Sequence, residues 1–477
     1  MENRTFVGAW WLPNVPERRV GGILTVQASG NCELQLTGSL LADPFWVHSK
    51  DDGEPPEEAS QVVHGEAGEE EFTLLHPSVI GGFGDRPQQV TPRAVLRGIH
   101  LSSVDQRLFS GIELEVDNLT AWSSISGFKS TMNTKAMTGE SNDFWVKYEL
   151  ARPAAESVKK GVLHGFEVEL EWRSTFSPQV VATHGGRQLK ASELVKAKIQ
   201  SHGPVAWDQF LNVSKSFQDL LTFATRHPCA VRSCHLIVSA EGGGQERVEL
   251  IRTAFVEPKS DKEAKWNNFL FHAGDVSFPE LLRKWDKLQS DVGMGIHVLF
   301  GLDYVRGGYL ENRIMNAASA AESIHRALHP KATGLPAEEH KAALAAIKKA
   351  VTGYEHGTWF LDRLGNDPGF MDRMHQLAAI PSTEAVTSLL ADVGQWAKWL
   401  RDARNAVAHL EGADLEKIPA AARYQISEVT IALLHLVFLA EIGLAPEIQM
   451  RAVSVVYGGA TENFRNAVKA KMARHSS

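Results

Sequence analysis

The sequence predicts an α+β chain of more than one domain: a β-rich amino-terminal module, sandwich or barrel-like with one packed helix, followed by an all-α four-helix bundle. Three observations lead there. Apolar residues alternate with polar ones in short runs through the first 275 residues, and their spacing turns helical beyond Val276. The 477 residues also exceed the ~250 to 300 that one core usually supports.

The strand signals begin at Leu24, Val26 and Ala28, pause at the turn-forming Ser29-Gly30-Asn31, and resume at Cys32, Leu34 and Leu36. That pattern predicts a hairpin. The same period marks Ile112, Leu114 and Val116, then Phe144, Val146 and Tyr148, then Phe166, Val168, Leu170 and Trp172. Between Lys50 and Glu71 the chain is acidic, rich in glycine and proline and without period, which predicts a solvated loop. From Trp207 to Thr225, Phe210, Val213, Phe217, Leu220, Leu221 and Ala224 share one side of a helix. Strands over Leu236 to Ala240 and Val248 to Phe255, joined at Gly242-Gly243-Gly244, complete a module spanning residues 1–275.

Residues 276–304 read as a linker or connecting helix, 305–460 as the helical domain and 461–477 as a tail. The first helix runs from Leu310 to Leu328 and stops before Pro330; the second occupies Ala337 to Val351. A third starts after Pro381-Ser382, where Ser382 or Thr383 can cap it and Glu384 suits its first turn, and continues to about His409. The fourth covers Ala420 to Ile442. Short connections make these a bundle.

Composition narrows the function classes. A net charge of -8 argues against indiscriminate coating of nucleic acid, so any such contact must be local. Three cysteines, Cys32, Cys229 and Cys234, are too few for a disulfide scaffold. The most apolar stretch, Val429 to Ala445, is shorter than a membrane span and contains His435 and Glu441. With no secretory pattern at the amino terminus, the expectation is a cytoplasmic protein that does not engage a membrane.

The third helix ends in Arg401-Asp402-Ala403-Arg404-Asn405-Ala406-Val407-Ala408-His409. An Arg-x4-His spacing is weak alone, because a chain with 19 histidines meets it about once by chance. Context adds weight. Leu389, Leu390, Val393, Trp396, Ala397, Trp399, Leu400, Ala403, Ala406, Val407 and Leu410 fill one arc of the wheel, expected to face the bundle, while Arg404 and His409, ~140° apart, border the opposite face with Lys398, Arg401 and Asn405 between them. Such a face suits metal-free cleavage of RNA: an imidazole moves the 2′-hydroxyl proton and a guanidinium holds the charge developing on phosphate. Asn405 can orient the imidazole or bind the phosphate. The bland alternative is a solvated helix face, or one that binds RNA without cutting it.

The run Arg404 to His409, near the end of a long helix in a carboxy-terminal helical region, resembles the signature of HEPN ribonucleases. Leu310-Glu311-Asn312-Arg313-Ile314 with Ala321-Glu322-Ser323-Ile324-His325-Arg326 resembles the first helix of ApeA-type HEPN domains. Gly8-Ala9-Trp10-Trp11-Leu12-Pro13, Gly22-Ile23-Leu24 and Leu34-Gln35-Leu36-Thr37-Gly38 resemble the opening of the ApeA amino-terminal domain. The resemblance implies an anti-phage abortive-infection protein whose HEPN domain is a conditional endoribonuclease acting on host RNA, tRNA among the candidates. It implies a homodimer that brings two Arg-His pairs into one groove, and a phage-derived trigger sensed by the amino-terminal domain. No cofactor or metal enters that expectation. Glu322 matches an acidic position of the family and is expected to pair with Arg404; Lys398 and Arg401 are expected to bind RNA.

The competing reading is a non-catalytic protein: a ligand-binding β domain with a helical dimerisation module that binds RNA or nucleotide. His227, Cys229, Cys234 and His235 lack standard zinc spacing. Gly81-Gly82-Phe83-Gly84-Asp85 lacks the Lys-Ser/Thr ending of a phosphate loop. Trp10, Trp11, Trp46 and Trp122 are expected in the core rather than in a ligand groove.

Overall fold

The computed structural model describes residues 3–40, 61–80, 87–132, 145–154, 158–176, 181–183, 186–188, 191–239, 244–256, 268–305, 307–410 and 412–476. The chain divides into two compact units: residues 1–222 with 228–264, and residues 223–227 with 265–477. The boundary expected from the sequence is at residue 275, and the chain passes finally from the first unit to the second at residues 264 and 265.

The first unit contains β1 (Arg4–Trp11), β2 (Val20–Val26), β3 (Cys32–Leu36), β4 (Val62–Ala67), β5 (Glu70–Ile80), β6 (Gln88–Arg97), β7 (Phe109–Val116), α1 (Leu119–Ser123), β8 (Phe128–Met132), β9 (Val146–Leu150), β10 (Lys159–Leu163), β11 (Phe166–Phe176), β12 (Val181–Thr183), β13 (Gly186–Gln188), β14 (Ala191–Val205), β15 (Val231–Ser239) and β16 (Gln245–Ile251). Helix α2 (Gln209–Thr225) lies between β14 and β15 in the chain.

Of the two forms expected, a barrel is present. Strands pair in the closed order β1-β2-β3-β6-β5-β4, returning to β1, so this part of the sheet has no free edge. Its inside is filled by alternating residues, Leu24 and Val26 opposite Leu34 and Cys32, with Leu36, Trp10 and Phe72 beside them. Gly65 is needed there: a Cβ at that position would lie 2.2 Å from the Trp10 ring. The sheet continues from β6 as β16-β15-β7-β14-β11-β10. Phe210, Val213, Phe217, Leu220 and Leu221 of α2 are fully buried, as their spacing predicts.

Two expectations need correction. Part of the segment expected to be a solvated loop is strand, because Val62 and Val63 are buried in the barrel wall while the acidic residues of β4 and β5 lie mostly toward solvent. The ribbon β8–β9 carries Val146 and Tyr148, but Tyr148 is exposed, so that alternation does not mark core. Residues 41–60, Trp46, Gly81 to Asp85, Phe144, Gly242 and Gly243 lie outside the described residues.

The second unit contains α3 (Phe278–Val292), α4 (Met294–Tyr304), α5 (Leu310–Leu328), α6 (Ala337–Val351), α7 (Gly357–Leu361), α8 (Phe370–Ala378), α9 (Thr383–Leu390), α10 (Val393–Ala408), α11 (Gly412–Glu416), α12 (Ala420–Arg423), α13 (Ile426–Glu441), α14 (Pro446–Arg451) and α15 (Gly458–Ser476), with a π-helical stretch at Ala452–Tyr457. α5 and α6 have the predicted limits. The third expected helix is two, α9 and α10, separated at Ala391, whose φ is 63°. Asp392 then caps α10. The fourth is also interrupted, at Tyr424 and Gln425, between α12 and α13.

Four helices pack mutually, α5, α8, α10 and α13, but α8 takes the place expected for α6, which buries no residue. α13 is buried along most of its length and forms the axis of the bundle. The segment expected as a linker is core: Leu281, Leu282, Trp285, Ile296 and Phe300 of α3 and α4 are buried, and Trp285 stacks on Phe223 at 5.8 Å. The expected tail from residue 461 is largely α15, which buries Phe464 and Val468.

Candidate active site

Helix α10 carries the candidate residues, and local chemistry sets where it starts. The Asp392 carboxylate accepts a hydrogen bond of 2.6 Å from the Gln395 amide, satisfying one of the amides a helix start leaves free. Trp396, Trp399, Leu400, Ala403 and Ala406 bury one face in the bundle. Trp396 Nε1 donates to Thr430 Oγ1 at 3.1 Å, and the Trp399 ring meets Phe464 edge-on at 5.7 Å. These contacts fix the rotation of α10 about its axis. Lys398, Arg404 and Asn405 consequently lie away from the core.

Arg404 is held by groups from three helices. Its Nη2 lies 3.5 Å from Glu322 Oε2 on α5, its Nη1 donates to Asn405 Oδ1 at 3.2 Å, and its guanidinium carbon stands 5.9 Å from the centre of the Phe370 ring on α8. The ion pair is long and partly exposed, so it contributes at most about 1 kcal/mol to stability and chiefly orients the arginine. Two of the five guanidinium N–H donors are engaged, which leaves the others for an oxyanion.

His409 is the C-cap residue of α10, with φ −97° and ψ 2°. Its backbone N–H donates to Asn405 O at 3.0 Å, and its side chain is exposed. The chain then turns through Leu410, which the helical wheel places on the bundle-facing arc but which is 91% exposed, because α10 ends at Ala408 and Leu410 is left-handed, at φ 58°. Among the described residues no hydrogen bond or ion pair joins the imidazole to Arg404 or Asn405. The side chain of Asn405 therefore serves Arg404 in this structure, and its contact with His409 is through the backbone. Arg401 donates from Nε and Nη2 to Asp402 Oδ1 at 3.0 and 2.8 Å, whereas Lys398 is exposed and has no ion pair among the described residues.

Sequence reasoning missed two features. Phe370 was invisible because only the long-range packing of α8 on α10 brings it to Arg404. A buried polar chain was missed as well: Asp303 of α4 is salt-bridged to Arg226, and its Oδ2 accepts from His435 Nε2 at 2.9 Å. The Tyr457 hydroxyl lies 2.7 Å from His435 Nδ1. A neutral imidazole protonated on Nε2 satisfies both partners, a tautomer assigned from this network. Burial pushes the His435 pKa down, and it opposes the neighbouring His435 and Arg226, which together hold the Asp303 carboxyl down at about 2. Near Glu322 on α5, His325 Nε2 donates to Gln376 Oε1 at 2.6 Å and is likewise held neutral by burial.

Cys229 is buried, and burial pushes the Cys234 thiol up to about 12, so Cys234 stays protonated. No group of three or more His, Cys, Asp or Glu among the described residues is placed to hold a metal ion. None of the described helices is long and apolar enough to cross a membrane.

Residues 5–285, more than half of the chain, match the family model of ApeA N-terminal domain 1, and residues 315–448 match that of the Apea-like HEPN domain. The second match spans Glu322, Phe370, Arg404 and His409. No curated protein and no solved structure matches the chain.

Proposed function

The chain belongs to the ApeA family, with a carboxy-terminal HEPN domain, and from that premise we propose that it is a metal-independent endoribonuclease of anti-phage defence. The observation that carries the reading is Arg404, held by Glu322, Asn405 and Phe370 with unused donors, five residues before an exposed His409. In the proposed reaction His409 takes the proton of an RNA 2′-hydroxyl, whose oxygen attacks the adjacent phosphorus. The bond from phosphorus to the 5′-oxygen breaks, leaving a 2′,3′-cyclic phosphate and a 5′-hydroxyl. Arg404 stabilises the charge on the non-bridging oxygens. DNA has no 2′-hydroxyl and is not cut.

Lys398 binds backbone phosphate, and Arg401 joins it once released from Asp402. A second copy of the chain supplies the second Arg404-His409 pair, whose imidazole protonates the leaving oxygen. Host RNA, tRNA among it, is the substrate, in the cytoplasm, and the β-rich unit senses a phage-derived trigger. The test is cleavage of total RNA by the full chain, triggered by infected-cell extract, in excess EDTA. New ends carrying 2′,3′-cyclic phosphate are expected; strict dependence on added metal overturns the mechanism.

A further inference from the structure

Between α2 and the face of β7, β15 and β16, the β-rich unit encloses a cavity of about 60 Å³. At roughly 10–15 Å³ per water, that is room for about four to six waters, or for a molecule with as many non-hydrogen atoms. Its walls are mixed. Ile112, Leu114, Leu211 and Phe255 supply apolar surface, while Ser214 and Arg252 stand among them.

The polar groups of the lining are unequally satisfied. Glu249 is held by both guanidinium nitrogens of Arg4 at 3.0 and 2.8 Å and by Arg97 at 3.0 Å, and Gln218 donates to the Cys229 carbonyl at 2.7 Å. Ser214 Oγ is different: the residue is 4% exposed and the hydroxyl has no partner among the described residues. A buried hydroxyl left unmet is unfavourable, because it has given up water without gaining a partner. Arg252 is half-buried, has no ion pair among the described residues, and lies close enough to the Cys234 thiol to favour its charged form. Among the side chains that line the cavity, two are cationic, Arg4 and Arg252, and one is a carboxylate, Glu249, which leaves one positive charge in excess.

We propose that this cavity is a binding site for a small organic anion, a carboxylate on a short aliphatic body. The carboxylate accepts from Ser214 and Arg252, and the hydrocarbon replaces water against Ile112, Leu114, Leu211 and Phe255. Anion rather than neutral ligand follows from the charge excess and from both unmet groups being able to donate.

The test is ligand-observed NMR on the full chain, titrating sodium acetate, propionate and butyrate against the alcohols of the same chain length. Saturable binding of at least one carboxylate is expected, with its alcohol at least tenfold weaker. Arg252→Gln should weaken the carboxylate at least tenfold. Ser214→Val should abolish binding while melting no lower than wild type, since the added methyl groups fill the space. No saturable binding, equal binding of acid and alcohol, or full binding by Arg252→Gln would each overturn the proposal and leave a hydrated packing defect.

Discussion

Arg404 and His409 differ in how firmly the fold holds them. Arg404 is oriented by Glu322 from 82 positions away in sequence, by its neighbour Asn405 and by the Phe370 ring, whereas His409 stands exposed where α10 ends. Glu322→Gln keeps the shape and removes the charge, so we expect little change in melting temperature and a loss of about 1 kcal/mol in positioning, about fivefold in kcat. Unchanged kcat would show that Glu322 only decorates the surface. Buried ionisable groups predict a pH dependence of stability separate from activity. His435 has its pKa lowered by burial beside Asp303, Arg226, Tyr457 and Glu428. Below the ordinary histidine value of ~6.5 the unfolded chain binds a proton that folded His435 refuses, so stability falls on acidification. Asp303, held at about 2, adds stability above ~4 that is lost as pH falls through about 2. Urea unfolding from pH 7 to 5 should show this decline, with a shallower slope for His435→Gln; an equal slope would contradict it.

Helices α5 and α6 were legible to the residue, because Pro330 and Pro336 flank them and their periods are unbroken. The break between α9 and α10 was not legible from periodicity. Leu389, Leu390, Val393 and Trp396 continue one arc on a straight wheel although Ala391 turns left-handed between them. The available signal was Asp392 three residues before Gln395, an N-cap pattern. Asp392→Ala should therefore lower stability by about 1 kcal/mol, read as a shifted urea midpoint with an unchanged slope. No shift would mean that tertiary packing alone starts α10. Ser277 followed by Phe278, Pro279 and Glu280 was a similar unread start signal for α3. Phe370 had no local signal, because its role arises only when α8 packs on α10.

At the scale of the whole molecule, the division into a β-rich and a helical unit was readable from the change of period, and the barrel's closure was not. Closure depends on β5 pairing with both β4 and β6, while the charged residues Glu66, Glu70 and Glu71 disguise the strands as loop. It also depends on Gly65 making room for Trp10, so Gly65→Val should destabilise the β-rich unit by about 1–3 kcal/mol or more, measured by urea unfolding. A neutral effect would mean that the barrel wall yields there. The pair Arg404 and His409 is legible in the sequence from its spacing at the end of α10 and from its place in a HEPN domain. The decisive measurement is sequencing of RNA ends in cells during phage infection, with the wild-type chain, His409→Ala and Arg404→Ala at matched abundance. The account predicts new ends and growth arrest with the wild type and neither with the variants, whose melting temperature and oligomeric state are unchanged. Wild-type cleavage by either variant would contradict it.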